Sequence, residues 1–194
     1  MKQIIISKRK QKLNLAVKKN LQIVIIGTEG GDLELALNIK ERNIHLEIYG
    51  ILMGCRDQKY NLKVTTKHVS PQSTSRVKIK GIFLDSSCLE FEGKIIIGNK
   101  AQLSDAFLQN NNLIIGENAV VNSSPQLEIC ANDVKASHGV TITTVDKEQM
   151  YYLKSRGLSE ALSVDLLASG FVNDILKELK NQKVEIRIPA LLLN

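Results

Sequence analysis

The residue best suited to chemistry is His138, which lies in the stretch DVKASHGVT between Ser137 and Gly139. A neutral imidazole is a good ligand for iron and other borderline metals, and it can also accept a proton. Its two neighbours are too small to cover it, and Asp133 or a backbone carbonyl could orient its other ring nitrogen. A single histidine near a strand end is, however, more often a structural or surface residue. The residue types alone therefore leave both interpretations open.

The three cysteines, Cys55, Cys88 and Cys130, lie far apart in a chain that has no C-x-x-C motif. An odd number without paired spacing argues against a disulfide framework, and the missing motif argues against a structural zinc site. We expect free thiols, most of them small buried hydrophobes. This argument favours a core packing role for Cys130 over a role as a metal ligand.

Catalytic motifs are not found. The glycine-rich stretch GTEGGDLE (27–34) lacks the Lys-Ser/Thr of a phosphate-binding loop and the G-x-G-x-x-G order of a dinucleotide turn, so it predicts a tight corner. No H-E-x-x-H or G-x-S-x-G motif occurs, and no nucleophile–base pair stands out. We therefore expect a protein that is not an enzyme.

The net charge of +6 is concentrated at the start, where residues 1–20 contain seven basic residues and no acid (Lys2, Lys8, Arg9, Lys10, Lys12, Lys18 and Lys19). Such a segment can bind nucleic acid, but no aromatic side chains are interleaved for base stacking, so lysines on a solvated strand edge are the better interpretation. No apolar run is long enough for a membrane span or a signal peptide. The expected protein is soluble and cytoplasmic, with neither nucleic acid nor membrane as a partner.

Short β-type runs with alternating apolar residues fill the chain up to about residue 145. They predict strands at 21–27, 33–39, 44–54, 60–66, 76–84, 88–93, 94–99, 112–121 and 125–137. A sandwich or barrel and a β-solenoid both fit so many short strands. The solenoid is favoured because single glycines separate paired runs, as in EIYGILM, KIKGIFL and FEGKIII, where they could form corners. The asparagine-rich stretches NKAQLSD and QNNNL also suit stacked corners.

The pattern becomes helical at residue 146. Asp146 can cap a first helix that ends at Gly157, and Ser159 can cap a second helix that ends near Gly170. An apolar stripe from Phe171 to Leu179 then predicts a third helix. We expect a β-domain over residues 1–145 and a small helical domain over 146–194.

Four stretches resemble the SUF iron–sulfur cluster assembly scaffold family, which comprises SufB and SufD. TTKHVSPQSTS (65–75) resembles its His-x-x-Pro-x-Thr-x-Ser turn. The stretch at 91–116 resembles its F-x-G-K-I run followed by asparagines, and SSPQLEICANDVKASHGVT (123–141) resembles its P-x-L-E-I…D-V-K-x-x-H-G segment. YYLKSRGLSEALSVDLLASGF (151–171) resembles its Y-L-x-S-R-G-L…G-F segment. The four occur in the family's order.

The resemblance implies a right-handed parallel β-helix with a C-terminal helical domain. It also implies a scaffold that pairs with a SufB-type subunit or with itself, and that binds the ATPase SufC through its helices. A nascent iron–sulfur cluster, or iron, would be held transiently near the paired interface, and ATP would enter only through the partner. The implied docking residues are Tyr151, Tyr152, Leu153, Arg156, Gly157, Leu158, Gly170 and Phe171.

Within this resemblance His138 is the candidate cluster ligand, with Cys130 as a second candidate and Asp133 and Ser137 as supporting residues. Ala119 stands where SufB has a cysteine, and Ser137 and Gly139 stand where SufB has glutamates, so the chain resembles SufD more closely. Cys130 occupies a position that is often aromatic in the family. His68 lies in the turn motif, where a structural hydrogen-bonding role is expected, and His45 is expected to be structural.

Two other functions compete with the scaffold. The chain could regulate or stabilise a SufC-type ATPase without assembling a cluster. It could also be an unrelated β-solenoid enzyme that acts on carbohydrate, but such enzymes carry carboxylates and aromatics along a groove, and aromatics make up only 4% of this chain.

Overall fold

The computed structural model describes residues 2–7 and 10–181, so Lys8 and Arg9 of the basic segment and residues 182–194 of the expected helical domain lie outside the described residues. The described part forms strands followed by helices. Their bounds are β1 Lys2–Ile6, β2 Lys10–Val17, β3 Leu21–Gly27, β4 Gly31–Ile39, β5 His45–Gly54, β6 Lys59–His68, β7 Thr74–Phe83, β8 Cys88–Ile97, β9 Asp105–Ile114, β10 Val120–Ile129, β11 Lys135–Thr144, α1 Lys147–Ser155 and α2 Glu160–Asn181.

The strands build two parallel sheets, and consecutive strands alternate between them. The six-stranded sheet has the order β1-β3-β5-β7-β9-β11, and the five-stranded sheet has the order β10-β8-β6-β4-β2. Each coil of the chain thus adds one strand to each sheet. This is a parallel β-solenoid, and the predicted fold class is confirmed.

The core lies between the two sheets and is formed by every second residue of each strand. Side chains in register on neighbouring strands point to the same side, so they stack into ladders. One inner ladder joins Ile48, Val77 and Leu108, all essentially inaccessible to solvent. The alternation visible in the sequence is therefore the alternation between core and solvent.

Three glycines expected at corners lie within strands instead: Gly50 in β5, Gly81 in β7 and Gly93 in β8. The runs 88–93 and 94–99 are consequently one strand. A Cβ on Gly81 would lie 2.3 Å from Phe83 Cε2 and 2.5 Å from Asn112 Oδ1. These glycines make room for neighbouring core side chains, which a local pattern does not reveal.

The corners are made largely by residues other than glycine. Positive φ angles of 53–59° occur in the connections between strands, at Asn43, Arg56, Gln72, Asp85 and Leu103. The predicted corner in GTEGGDLE is confirmed, with Gly30 and Gly31 at φ 71° and 132°. The expected single strands at 112–121 and 125–137 each contain a corner, between β9 and β10 and between β10 and β11.

NKAQLSD lies at a corner as expected, but QNNNL belongs to strand β9. Asn110 and Asn112 are fully buried in the interior, where Asn112 Nδ2 donates to Asn110 Oδ1 (2.7 Å). Two stacked asparagines outside these stretches also pair, on the outer surface of β2 and β4, where Asn38 Nδ2 donates to Asn14 Oδ1 (3.1 Å).

The helix starts agree with prediction, but the number of helices does not. The Asp146 side chain caps α1 by accepting a bond from the Glu148 amide (2.8 Å), and Gly157 follows α1 with φ +88°. The Leu162 amide donates to Ser159 Oγ (3.3 Å) at the start of α2. The predicted stop at Gly170 is wrong, because α2 continues to Asn181. Tertiary packing of the residues after Gly170 outweighs the low helix propensity of one glycine.

Helix α2 covers part of the outer face of the six-stranded sheet. Its buried side chains form a second apolar cluster with that face, comprising Val24, Tyr49, Ile51, Met53, Ile82, Ala168, Val172, Ile175 and Leu179. Two lysines of β7 reach the helix, since Lys78 pairs with Glu178 (2.5 Å) and Lys80 pairs with Asp174 (2.7 Å). Neither described helix is long and apolar enough to cross a membrane.

Candidate functional site

The candidate site is the end of the solenoid formed by β10 and β11, which we call the open end. These two strands are the last members of their sheets. Alternate residues of β10 and β11 point to the inside of the coil, yet three of them remain exposed, namely Ile129 (44%), Val140 (36%) and Ile142 (46%). In the described part of the chain nothing covers these apolar side chains, so the open end is uncapped and exposes part of the hydrophobic core.

His138 belongs to the inner ladder at this open end. It is in register with Leu108 of β9, and Ala136, two positions earlier on the same strand, packs against the core. Its imidazole therefore faces the interior side of the coil, although it is exposed because the coil ends there. Ser137, of opposite parity, points to the outer face. The sequence predicted an accessible histidine, but only the register shows which face it occupies.

The expected supporting residues do not contact His138 by hydrogen bonds within the described chain. Asp133 is exposed, and its described bonds are made by its backbone, with the amide donating to Gln102 Oε1 (2.9 Å) and the carbonyl accepting from Leu103 (2.6 Å). Roles for Asp133 and Ser137 at His138 stay predictions. The ring of His138 is left available for a ligand supplied from outside.

Cys130 follows β10 directly and is exposed, whereas Cys55 and Cys88 are half-buried. Its backbone amide donates to the carbonyl of Ile97 (2.8 Å). This bond connects the backbone to the preceding coil, while Cys130 itself stays exposed. The expectation that most thiols are buried is therefore wrong, since none of the three is. Cys130 departs from it furthest, because it lies where the coil has no further neighbour among the described residues.

The open end does not by itself form a complete metal site. Across the described residues, no three His, Cys, Asp or Glu side chains lie together in a way that could hold a metal ion. His138 can supply one nitrogen ligand and Cys130 one sulfur ligand, both of types that suit iron. A cluster held at this end would therefore need further ligands from beyond the described residues.

The backbone edges of the two end strands differ. The backbone amides of Val120 and Cys130 donate to the carbonyls of Ser87 and Ile97, on the side of β8. The backbone amides of the odd-numbered residues of β10 therefore point to the free edge. Pro125 is one of these and has no amide hydrogen. The backbone amide of Lys135 donates to the carbonyl of Ser104, on the side of β9. The backbone amides of the even-numbered residues of β11, from Ala136 to Thr144, therefore point to the free edge. The β11 edge is continuous, whereas a proline interrupts the β10 edge.

His68 has the structural role expected from its motif. It is fully buried, with Nδ1 2.8 Å from Ser73 Oγ and Nε2 2.8 Å from Ser75 Oγ. Burial lowers the pKa of His68 to about 4, although the Asp105 carboxylate acts in the opposite direction. His45 is exposed at the start of β5, where its Nδ1 lies 2.7 Å from Thr74 Oγ1. Both imidazoles are engaged within the fold, which distinguishes them from His138.

The helices present a second exposed surface, which we call the helix face. Tyr151 and Tyr152 of α1 are 76% and 56% exposed, and Leu162 and Leu166 of α2 are 46% and 52% exposed. The leucines lie one turn apart, so they form one stripe. The tyrosines are among the predicted docking residues, and that role stays a prediction. The leucines are not among them, because an apolar stripe in the sequence does not show which of its members stay uncovered.

The other expected docking residues are distributed around this surface. Arg156 is exposed, with its guanidinium 5.1 Å from the centre of the Tyr152 ring, while Leu153 and Leu158 are half-buried and Gly157 forms the turn after α1. Gly170 is exposed, whereas Phe171 is half-buried beneath Lys80, 4.7 Å from its ring centre. Phe171 therefore belongs to the contact between α2 and the sheet.

Comparison with known proteins shows which family this chain belongs to. Residues 7–171 match the family model described as SUF system FeS cluster assembly, SufBD core domain. This chain is a member of the SufBD family. The iron-sulfur cluster assembly protein SufD of Escherichia coli (strain K12) is 31% identical over 148 residues, which cover 76% of this chain and 35% of the relative. The matched residues include the strands from β2 to β11, the open end and the helix face, and they end within α2.

Other SufBD proteins match as well. A SufBD family protein of Synechocystis is 36% identical over 98 residues, covering 50% of this chain and 22% of the relative. A SufBD family protein of Mycobacterium bovis is 29% identical over 152 residues, covering 74% of this chain and 38% of the relative. The chain is a SufD homologue, and its matches span 22–38% of the length of these relatives.

Proposed function

We propose that this chain is a SufD-like scaffold subunit for iron–sulfur cluster assembly and that it has no catalytic activity of its own. The observation that carries the proposal is the position of His138, an accessible imidazole on the inner ladder of an uncapped coil. With Cys130 it offers an incomplete set of iron ligands, and a second subunit would complete it. The cluster is the cargo of this site, held while it is built and then released.

The second subunit is a SufB-type protein or another copy of this chain. An uncapped coil exposes apolar side chains and unpaired backbone groups, and both are satisfied when another strand adds to the edge. The continuous β11 edge carries this contact, because Pro125 weakens the β10 edge. Pairing through β11 would bring the partner's side chains next to His138.

The third component is a SufC-type ATPase, bound through the helix face. Tyr151, Tyr152, Leu162 and Leu166 leave apolar surface of both helices uncovered in the described chain, and a bound partner would bury it. The division into a β-domain (1–145) and a docking domain (146–194) stays a prediction, and α2 shares an apolar cluster with the sheet. ATP would act on the assembly only through this partner, in the cytoplasm.

A regulatory role is the second candidate function. In it the chain binds the ATPase through the helix face and builds no cluster, and the incomplete ligand set in the described chain favours it. Co-expression with the cognate SufB-type and SufC-type proteins separates the two functions. The scaffold predicts one complex that accumulates iron and sulfide under anaerobic reconstitution and loses most of that yield when His138 becomes alanine. A complex whose yield is unaffected by His138→Ala would favour the regulator, and failure of any complex to form would contradict both.

A further inference from the structure

The solenoid has a second end, opposite the open end, which is formed by β1 and β2 and which we call the basic end. No other described strand lies beyond these two in their sheets. Leu13 and Leu15 of β2 are in register with Leu35 and Leu37, which are each 1% exposed, yet Leu13 and Leu15 are only half-buried. A cavity of about 280 Å³, lined in part by apolar side chains of both strands, lies next to Leu15. The described chain therefore covers its apolar interior incompletely at this end too.

The free edge of β2 can form a further row of backbone hydrogen bonds. The carbonyl of Val17 accepts a bond from the Lys40 amide (3.2 Å), so the backbone groups of the odd-numbered residues of β2 point to β4. The backbone groups of the even-numbered residues from Lys12 to Ala16 therefore point to the free edge. Natural edge strands are often blocked by proline or by charges that point inward, but β2 has no proline and no charge at its inner positions. This edge is open to another strand.

The surface around this edge is basic. Residues 1–28 contain no acid, and the described lysines among them are all exposed, namely Lys2, Lys10, Lys12, Lys18 and Lys19. Lys2, Lys18 and Lys19 line the cavity at the end of the coil. A segment that covers the basic end would therefore be favoured by negative charge on its outer face.

The fold itself shows which arrangement of acids suits these lysines. On the outer face of the five-stranded sheet, lysines pair with acids in register on the adjacent strand: Lys10 with Asp32 (3.6 Å), Lys12 with Glu34 (2.8 Å) and Lys63 with Glu92 (2.9 Å). In the DLEL stretch of β4 the two acids alternate with leucines that are buried in the core. A strand on the other side of β2 would meet the same register positions. The same alternation would place its acids beside the lysines and its apolar residues on Leu13 and Leu15.

We propose that the free edge of β2 binds an extended segment of another protein in which acidic and apolar residues alternate. Backbone bonds and the burial of the two leucines supply the affinity, while the acids select the segment, because exposed ion pairs add little affinity by themselves. The described free edges of a second copy do not fit, since β1 and β11 contain no acid and β10 has only Glu128 on a strand that Pro125 interrupts. The site lies at the opposite end from His138, so it goes beyond the proposed function and does not depend on it.

Fluorescence anisotropy with the full chain and a labelled peptide of the β4 sequence, GDLELALNI, tests the proposal. We expect this peptide to bind at least about tenfold more tightly than one of the same composition in which the two acids are adjacent, because a broken alternation turns side chains to the wrong face. Asn14→Pro should abolish binding, because it removes an amide at the free edge and keeps the bonds to β4. Asn14→Ala controls for the lost bond to Asn38, and Val140→Pro, at the β11 edge, should leave binding unchanged.

An exchange of charges tests the selectivity. Lys10→Glu combined with Asp32→Lys keeps an ion pair between β2 and β4 but reverses the charge beside the free edge, and Asn61, in register with Asp32, is neutral. The double variant should prefer a peptide with lysine in place of the first acid, whereas the wild type should prefer the acid. We expect a preference of about two- to fivefold in each case, which is the range of an exposed ion pair. Thermal melting verifies that each variant is folded.

Several outcomes would overturn the proposal. They are failure of the wild-type chain to bind the alternating peptide, equal binding of the adjacent-acid peptide, binding by a folded Asn14→Pro variant, and a preference that the charge exchange does not invert. Self-association of the wild-type chain that Asn14→Pro abolishes would assign the edge to a second copy, and it would also contradict the choice of partner. None of these readouts requires SufB or SufC, so a failed assembly assay leaves this test intact.

Discussion

His138 is in register with Leu108, and the two side chains point to the same side of the sheet, but Leu108 is 1% exposed and His138 is exposed. The difference arises because, among the described strands, β9 has a neighbour on both sides and β11 has one on one side only. A core position at the end of a solenoid thus becomes an accessible surface position.

Replacing His138 by alanine should separate assembly from stability. We expect the free energy of unfolding to change by less than about 1 kcal/mol, because an exposed side chain without described hydrogen bonds contributes little packing. Cluster yield in the reconstituted complex should fall severely, while capture of the SufC-type ATPase should not change. Melting temperature, iron content and ATPase capture are measured on one preparation. Ser137→Ala, which alters the outer face of the same strand, is the matched control, and an equal loss of yield in both variants would remove His138 from the site.

Proline at Val140 should prevent pairing without unfolding the chain. The amide of Val140 faces the free edge, as the nitrogen of Pro125 does in β10, so the bonds to β9 are kept. Proline at Thr141 removes an amide that faces β9, so that variant should lose thermal stability. Analytical ultracentrifugation at micromolar concentration, with and without the SufB-type partner, measures pairing. Undiminished association of a folded Val140→Pro variant would show that β11 is not the contact strand.

Acid should destabilise the chain through His68. The unfolded histidine has a pKa of about 6.5 and the native one a pKa of about 4, so between these values the unfolded chain takes up a proton that the native chain does not. The free energy of unfolding should therefore fall as the pH drops through this window, by at most about 3 kcal/mol at about 1.4 kcal/mol per pKa unit. Urea unfolding of wild type and His68→Gln at several pH values measures it.

In that experiment the His68→Gln variant should lose the decrease in the free energy of unfolding between pH 6.5 and 4. His45→Asn should keep it, because His45 is exposed. A wild-type curve that is flat across the window would show that the buried imidazole does not control acid stability.

Two glycines should respond differently to alanine. Gly81→Ala places a methyl group against the buried side chains of Phe83 and Asn112, neither of which can move into solvent, so we expect a loss of about 1–3 kcal/mol. Gly139→Ala meets no heavy atom within 4 Å and should change stability by less than about 0.5 kcal/mol. Urea denaturation measures both, and equal losses would contradict the placement of Gly81 against the core.

A charge on the helix face should release the ATPase. Leu166→Glu alters a side chain that is 52% exposed, so stability should change by less than about 0.5 kcal/mol, whereas burying the new carboxylate against a partner should weaken binding at least about tenfold. Capture of the SufC-type protein and the melting temperature are measured together. Lys177→Glu, an exposed site farther along α2, is the control, and loss of capture in both variants would indicate a general charge effect.

Much of this architecture can be derived from the sequence, because its determinants are local. The alternation in YNLKVTT predicts a strand with one buried face, and Asp146, Gly157 and Ser159 mark helix ends through contacts with residues only a few positions away. The resemblance of the 123–141 segment, which contains His138, likewise assigns the chain to the correct family. In each case the interacting groups are close together in the chain.

The tertiary structure decided whatever depends on residues far apart in the chain. Gly81 lies inside a strand because Asn112 needs its space. Helix α2 continues past Gly170 because Val172 and Ile175 pack on an apolar sheet face whose residues lie 90 or more positions earlier. Whether His138 and Cys130 are buried depends on the number of coils stacked above them, which their own neighbours do not encode. The sequence therefore determined the kinds of element and the candidate residues, and the stacking of the coils determined which of those residues are accessible.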